Sequence, residues 1–337
     1  MAPTNYTLHR ILDANLDRAR EGLRVLEEWC RLGLNQAELV ETCKHLRQTL
    51  AQWHRPEYRH ARNTPDDPGT DLTHLQEQHR TDVTAILQAN FARVQEALRV
   101  LEEYSKVEAP SLGAACKQMR YQVYILESQL LGTQRLQRLL AARLYLVTSP
   151  CDQLLTIVDA ALKGGLQLVQ YRDKESHDRS RLQLAQALRQ LCDQYEALLI
   201  VNDRIDIALA VNADGVHLGQ QDLPMDIARQ LLGPHRLIGR STTNPTELEG
   251  AIAEGADYIG VGPVYATPTK AGKAPAGLEY VRYAAEHAPM PWYAIGGIDT
   301  INLPEVIASG AQRVAVVRAI MQTDDPTLIT QQLLAQL

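Results

Sequence analysis

Residues 199–224 read LIVNDRIDIALAVNADGVHLGQQDLP. With Leu198 the stretch opens as a buried strand, Leu198-Leu199-Ile200-Val201, that ends abruptly in Asn202-Asp203-Arg204. A short helical segment follows, with apolar residues at Ile205, Ala208 and Leu209. A second strand, Gly215-Val216-His217-Leu218, then stops in Gly219-Gln220-Gln221-Asp222. Strand, helix and strand in so short a run predict a parallel α/β sheet, whose C-terminal strand ends form one rim where ligands bind. Asp203 and Asp222 fall just past neighbouring strand ends on that rim. Either alone reads as a helix cap or a turn former. As a pair they suit a hard cation, Mg²⁺, one per subunit, which takes one or two carboxylates and completes its shell with phosphate oxygens and water.

The same alternation runs from Leu144 to the end of the chain. Strands are predicted near Leu144–Thr148, Leu168–Arg172, Leu198–Asn202, Gly215–Leu218, Leu237–Ser241, Tyr258–Gly262, Trp292–Gly296 and Val314–Arg318. Eight strands with helices between them predict a (β/α)8 TIM barrel over residues 143–337. An open doubly wound sheet is the alternative, disfavoured because no GxGxxG turn follows a strand. Polar residues gather at the strand ends: Gln170 to Lys174, Asn202-Asp203, Asp222, Arg240-Ser241, Gly296-Gly297 and Val317-Arg318. Singly, Arg172 or Lys174 is a solvated charge. Together, basic groups, two carboxylates and glycine-rich turns describe a site for a metal-bound phosphorylated substrate. The loop GPVYATPTKAGK, residues 262–273, extends strand six and reads as a closing lid that carries Lys270, or else as a mobile surface loop. His217 lies in an apolar strand and reads as a packed core group without chemistry.

Residues 1–135 are of another kind, an all-α helical bundle with an internal duplication. ILDANLDRAREGLRVLEEW (11–29) returns as ILQANFARVQEALRVLEEY (86–104), with about twelve of nineteen positions identical. Cys43-Lys44-His45-Leu46-Arg47 is echoed by Cys116-Lys117-Gln118-Met119-Arg120. Apolar residues step by three and four, so each copy presents one buried face, and the copies are expected to pack together. The polar set repeats too. Asn15, Arg18, Glu21, Arg24, Glu27 and Glu28 match Asn90, Arg93, Glu96, Arg99, Glu102 and Glu103. These read as solvated faces with helix ion pairs, or as a polar pocket between the halves.

A net charge of −6 and ordinary apolar content exclude general nucleic-acid binding and disorder. No apolar run is long enough to span a membrane, and MAPTNYTLHR does not resemble a signal peptide. Five cysteines without metal-ligand spacing read as reduced thiols. A cytoplasmic location follows as the expectation. The partners expected are small phosphorylated molecules, with no nucleic acid and no membrane. A homo-oligomer is compatible with the sequence.

The runs QYRDK (170–174), 202–224 as quoted, GRSTTN (239–244), ADYIGVGPVYATPTK (256–270), AIGGI (294–298) and RVAVVRAI (313–320) resemble the thiamine phosphate synthase family. The resemblance implies a transferase of thiamine biosynthesis. It would join hydroxymethylpyrimidine diphosphate to thiazole phosphate and release pyrophosphate with Mg²⁺. It implies pyrimidine diphosphate contacts at Gln170, Tyr171, Arg172, Asp173, Lys174, Asn202, Ser241 and Lys270, with Arg172, Lys174 and Lys270 catalytic. Asp203 and Asp222 would hold the metal. Thiazole phosphate would meet Thr267, Pro268, Thr269, Gly297, Val317 and Arg318, the last standing where the family usually has Ser. A thiazole tautomerase-like isomerase and a non-catalytic phosphate-binding regulator are the rival readings. The helical part resembles a domain fused to some family members, which implies hydroxymethylpyrimidine phosphate kinase activity. Arg20, Arg24, Arg62, Arg99, Lys117 and Arg120, with Asp66, Asp67 or Asp71, are its candidate phosphate and metal contacts.

Overall fold

The computed structural model describes residues 4–63, 80, 83–267 and 274–337. The chain divides into two compact units, Met1–Thr133 and Gln134–Leu337. The division falls inside a helix rather than in a linker.

The first unit is helical. It contains α1 (Thr4–Glu28), α2 (Ala37–Ala51), α3 (Pro56–His60), α4 (Val83–Tyr104) and the first part of α5 (Pro110–Ala141). A single π turn, Trp29–Gly33, extends α1. The three-and-four spacing does what it predicts: Leu12, Leu16, Ala19, Leu23 and Leu26 of α1 share one core with Leu87, Phe91, Val94, Leu98 and Leu101 of α4. Leu112, Cys116, Met119, Val123, Leu126 and Leu130 of α5 complete it. The two repeat helices cross closely because Gly22 has no side chain. A Cβ there would stand 2.6 Å from Val94 Cγ2.

The duplication extends to charge. Glu27 Oε1 accepts from Arg24 and Oε2 from Arg47, both at 3.0 Å. Glu102 likewise accepts from Arg99 at 3.2 Å and from Arg120 at 3.0 Å. Asn15 and Asn90 each donate to the carbonyl four residues back, at 2.8 Å. The expectation of solvated ion-pair faces needs correction here, because Glu27 and Glu102 are buried. Each acid accepts from two arginines on different helices, a placement that sequence spacing along one helix does not reveal.

The second unit is a closed barrel of eight parallel strands in sequential order. They are β1 (Leu144–Val147), β2 (Leu168–Tyr171), β3 (Leu198–Asn202), β4 (Gly215–Leu218), β5 (Leu237–Thr242), β6 (Tyr258–Val261), β7 (Trp292–Ile295) and β8 (Val314–Val316). The last is shorter than predicted. Val317 turns with φ −118° and ψ −80°, and Arg318 opens a helical turn instead of ending the strand. Alternation sets the two layers. Leu146, Val169, Leu199, Val216, Ile238 and Ile259 face the surrounding helices. Tyr145, Leu168, Ile200, Leu237, Tyr258 and Tyr293 fill the barrel interior. Gly239 makes that filling feasible, since a Cβ there would come within 2.2 Å of Tyr258 Cζ. At the foot of the barrel Tyr293 donates to the carbonyls of Leu139 and Ala142 at 3.0 and 2.8 Å.

Candidate active site

Three interior aromatic rings and one imidazole tie two of the expected substrate contacts together. Gln170 Nε2 donates to Tyr145 Oη at 2.7 Å, and Tyr145 Oη lies 3.0 Å from Tyr258 Oη. His217 bridges onward, with Nδ1 3.2 Å from Tyr258 Oη and Nε2 2.9 Å from Ser241 Oγ. Tyr293 stacks edge-on against both tyrosines. Parity decides this arrangement: Gln170, His217 and Ser241 all occupy inward positions near the C-terminal ends of their strands. His217, read from sequence as inert packing, is therefore a polar link between Gln170 and Ser241. The signal was present in the alternation of β4, where Val216 and Leu218 point outward. It needed the neighbouring strands to become visible.

The carboxylates meet as the strand pattern predicts. Asp203 follows β3 in a left-handed backbone, φ +59°, and its N–H donates to the His217 carbonyl at 3.0 Å. Lys174 Nζ is 2.9 Å from Asp203 Oδ2. Burial raises the Asp203 carboxyl above the usual range; Lys174 opposes this, and Asp222, within hydrogen-bonding contact, pushes it up further. Asp222 Oδ2 accepts the Gly219 N–H at 2.6 Å, and the Gly219 carbonyl accepts from the buried Arg240 at 2.9 Å. Arg240 thus braces the loop that carries Asp222. Among the described residues no group of three or more His, Cys, Asp or Glu side chains could hold a metal. A cation here would rest on two carboxylates and draw its other ligands from solvent or substrate.

The QYRDK run splits by parity. Tyr171 is buried on the helix side of the sheet and donates to Asp173 Oδ2 at 3.3 Å. Asp173 Oδ1 accepts the N–H groups of Glu175 and Ser176. Burial works to raise the Asp173 carboxyl, but those N–H groups hold it below the usual range. Both residues shape the turn that presents Arg172 and Lys174. The Arg172 N–H is held by Thr148 Oγ1 at 3.0 Å.

Across the rim a cavity of about 560 Å³ opens between the turns after β6, β7 and β8. Its walls include Thr267, Gly296, Gly297, Val317 and Arg318. Gly296 and Gly297 turn with φ +109° and +69°, which glycine adopts without strain. Asn302 donates to the Gly297 carbonyl at 2.8 Å and fixes that turn. Asn202, at the end of β3, is half-buried next to Asp203. Pro268, Thr269 and Lys270 lie outside the described residues, as do Asp66, Asp67 and Asp71 of the first unit.

The remaining first-unit candidates separate. Arg24, Arg99 and Arg120 are taken up by the buried acids Glu27 and Glu102, and Lys117 is exposed. Arg20 and Arg62 lie elsewhere, with Asp13 and Asp17.

No described helix is long and apolar enough to cross a membrane. The family described as thiamine monophosphate synthase matches residues 144–320, and the ThiD2 family matches residues 10–129. A thiamine-phosphate synthase of Synechocystis sp. is 67% identical over 328 residues, 97% of this chain and 96% of that one. One of Nostoc punctiforme is 67% identical over 330 residues, covering 98% and 94%. Among solved structures, a thiamine phosphate pyrophosphorylase from Pyrococcus furiosus superposes with a TM-score of 0.54 at 36% identity. It covers 58% of this chain and 95% of its own. With relatives of such identity matching along nearly its whole length, the chain belongs to the thiamine-phosphate synthase family, whose members are transferases.

Proposed function

We propose that the barrel joins 4-amino-2-methyl-5-hydroxymethylpyrimidine diphosphate to hydroxyethylthiazole phosphate, forming thiamine phosphate and pyrophosphate. The observation that carries the reading in this chain is the contact of Lys174, Asp203 and Asp222 on one rim. Two carboxylates in contact repel unless a cation or a proton joins them, and an all-oxygen donor set fits Mg²⁺. Asp203 and Asp222 would hold it. When bound, the metal neutralises charge on the diphosphate. Lys174 and Arg172, presented by one turn, add positive charge where the leaving pyrophosphate develops its own. Gln170 and Ser241, joined through Tyr145, Tyr258 and His217, would orient the pyrimidine ring by hydrogen bonds. The thiazole phosphate belongs in the cavity at Gly297, Val317 and Arg318. The thiazole nitrogen attacks through a lone pair and carries no proton, so the mechanism requires no general base. Positioning and electrostatic stabilisation are the catalytic work. Supplying both substrates with Mg²⁺ and measuring pyrophosphate tests this. Absence of release would leave the isomerase or regulator reading instead.

For the first unit, the ThiD2-family match over residues 10–129 favours a second activity, phosphorylation of hydroxymethylpyrimidine phosphate. Its product would be the barrel's substrate. The full chain given ATP, Mg²⁺ and the monophosphate, without thiazole phosphate, should accumulate the diphosphate. No accumulation would refute it.

A further inference from the structure

We propose that the first half of the duplicated bundle carries a binding site for a small phosphate monoester, built from Asp13, Asp17, Arg20, His54, Arg59 and Arg62. Arg62 Nε donates to Asp13 Oδ2 at 2.6 Å, and its Nη2 pairs with Asp17. Asp17 Oδ1 lies 3.4 Å from His54 Nε2 and 3.9 Å from an Arg59 nitrogen. Arg20 Nη1 is 3.3 Å from His54 Nε2. The arginines and Asp17 reach solvent, so a ligand has access: their side chains are 24% to 56% exposed.

The duplication supplies an internal control. Features that the bundle needs for packing occur in both copies: the buried asparagines and the two acid–arginine clusters. The site residues occur in one copy. Asp13 and Asp17 correspond to Gln88 and Ala92, both exposed. Arg20 against His54 is replaced by Gln95, which donates to Glu127 at 2.7 Å. The same helical frame therefore stands without the cluster, and the buried charges of the first half need another reason to be there.

The second observation is unpaired polarity. Asp13 is only 2% exposed, yet among the described residues its Oδ1 has no hydrogen-bond partner, and neither do Arg20 Nε and His54 Nδ1. Arg20 can only donate, so His54 Nε2 accepts from it and the imidazole proton sits on Nδ1. The unsatisfied set is thus two donors and one carboxylate acceptor, each costly to leave buried. Burial keeps His54 neutral by lowering its basicity. Three guanidiniums against two carboxylates then leave the cluster net positive. Such a set selects phosphate oxygens for its donors and guanidiniums. The spare oxygen of Asp13 selects an O–H or N–H elsewhere on the same ligand. The site stands whether or not the unit transfers phosphate.

The test is hydrogen exchange of the full chain with O-phosphoethanolamine, a phosphate monoester bearing an amine, with inorganic phosphate and ethanolamine in parallel. The monoester should slow exchange across residues 9–20 and 54–62, phosphate should do so more weakly, and ethanolamine should not. Arg62→Gln should weaken this protection about tenfold. Arg59→Gln, at a largely exposed side chain, serves as the second variant where loss of the Asp13 pair unfolds the bundle, and it should weaken protection several-fold. Protection confined to residues 134–337, or protection in the bundle that neither variant alters, overturns the proposal. Protection lost in Arg59→Gln from a chain that makes no diphosphate supports the site while refuting the kinase reading.

Discussion

Replacing Asp203 by Asn should make the barrel more stable and nearly inactive at once. Asp203 sits at φ +59°, a left-handed backbone that Asn tolerates well and that would cost Ala about 1–2 kcal/mol, so Asn isolates the charge from the backbone. Its carboxyl is raised in the folded chain by burial and by Asp222, outweighing Lys174. A carboxyl raised on folding contributes its stability at low pH and loses it as pH climbs from the unfolded to the folded value. At neutral pH without metal, the ionised Asp203 is therefore a net cost to the fold. The lost Lys174 pair is partly exposed, and such pairs are worth about 0.2–1 kcal/mol. The net gain for Asp203→Asn is on the order of 1 kcal/mol, a rise of about 2–4 °C in a unit of this size. Mg²⁺ affinity and pyrophosphate release should meanwhile fall about 100-fold or more. Thermal unfolding with chelator and then with Mg²⁺, beside a pyrophosphate assay over a Mg²⁺ series, reads both effects. A lower metal-free Tm, or turnover with unchanged Mg²⁺ dependence, would refute the reasoning.

Three further outcomes follow from the same geometry. Asp222→Asn removes the charge that raises Asp203, so the Asp203 carboxyl should ionise at lower pH, which a carboxyl-resolved NMR titration of both proteins checks; an unmoved or higher titration would contradict the contact. Gly296→Ala would place a Cβ 2.6 Å from Pro263 at φ +109° and should destabilise the barrel by about 2–3 kcal/mol and raise the KM for thiazole phosphate; denaturant unfolding and steady-state kinetics measure the two. Glu27→Ala and Glu102→Ala should each cost the bundle about 1.5–3 kcal/mol, since each removes a buried acid that accepts from two arginines while Arg24 and Arg99 keep their partners Glu28 and Glu103; unequal losses in urea melts would show that the repeats are not energetically equivalent.

The sequence by itself determined the eight strands to within a residue or two, because short β-branched runs bounded by polar turns leave little freedom in where a parallel strand starts and stops. It also determined that Asp203 and Asp222 share a rim, since successive parallel strands must end on the same side. The helical duplication was legible as repeated spacing. Tertiary structure alone decided which polar residues face one another. Tyr145, Gln170, His217, Ser241 and Tyr258 are far apart in the chain, and only the closed barrel brings their inward positions into one chain of hydrogen bonds. Tyr171 and Asp173 stand in the same short motif as Arg172 and Lys174, yet parity and a tight turn give them to the scaffold. In the bundle, both copies carry Arg and Glu at matching places, and spacing suggested solvent-facing pairs. Burial of Glu27 and Glu102 depends on arginines from a second helix, and the isolated Asp13 cluster depends on residues 54–62 folding back over α1. Local pattern fixes the face on which a residue lies, while the partner on that face is set by which element the fold delivers there.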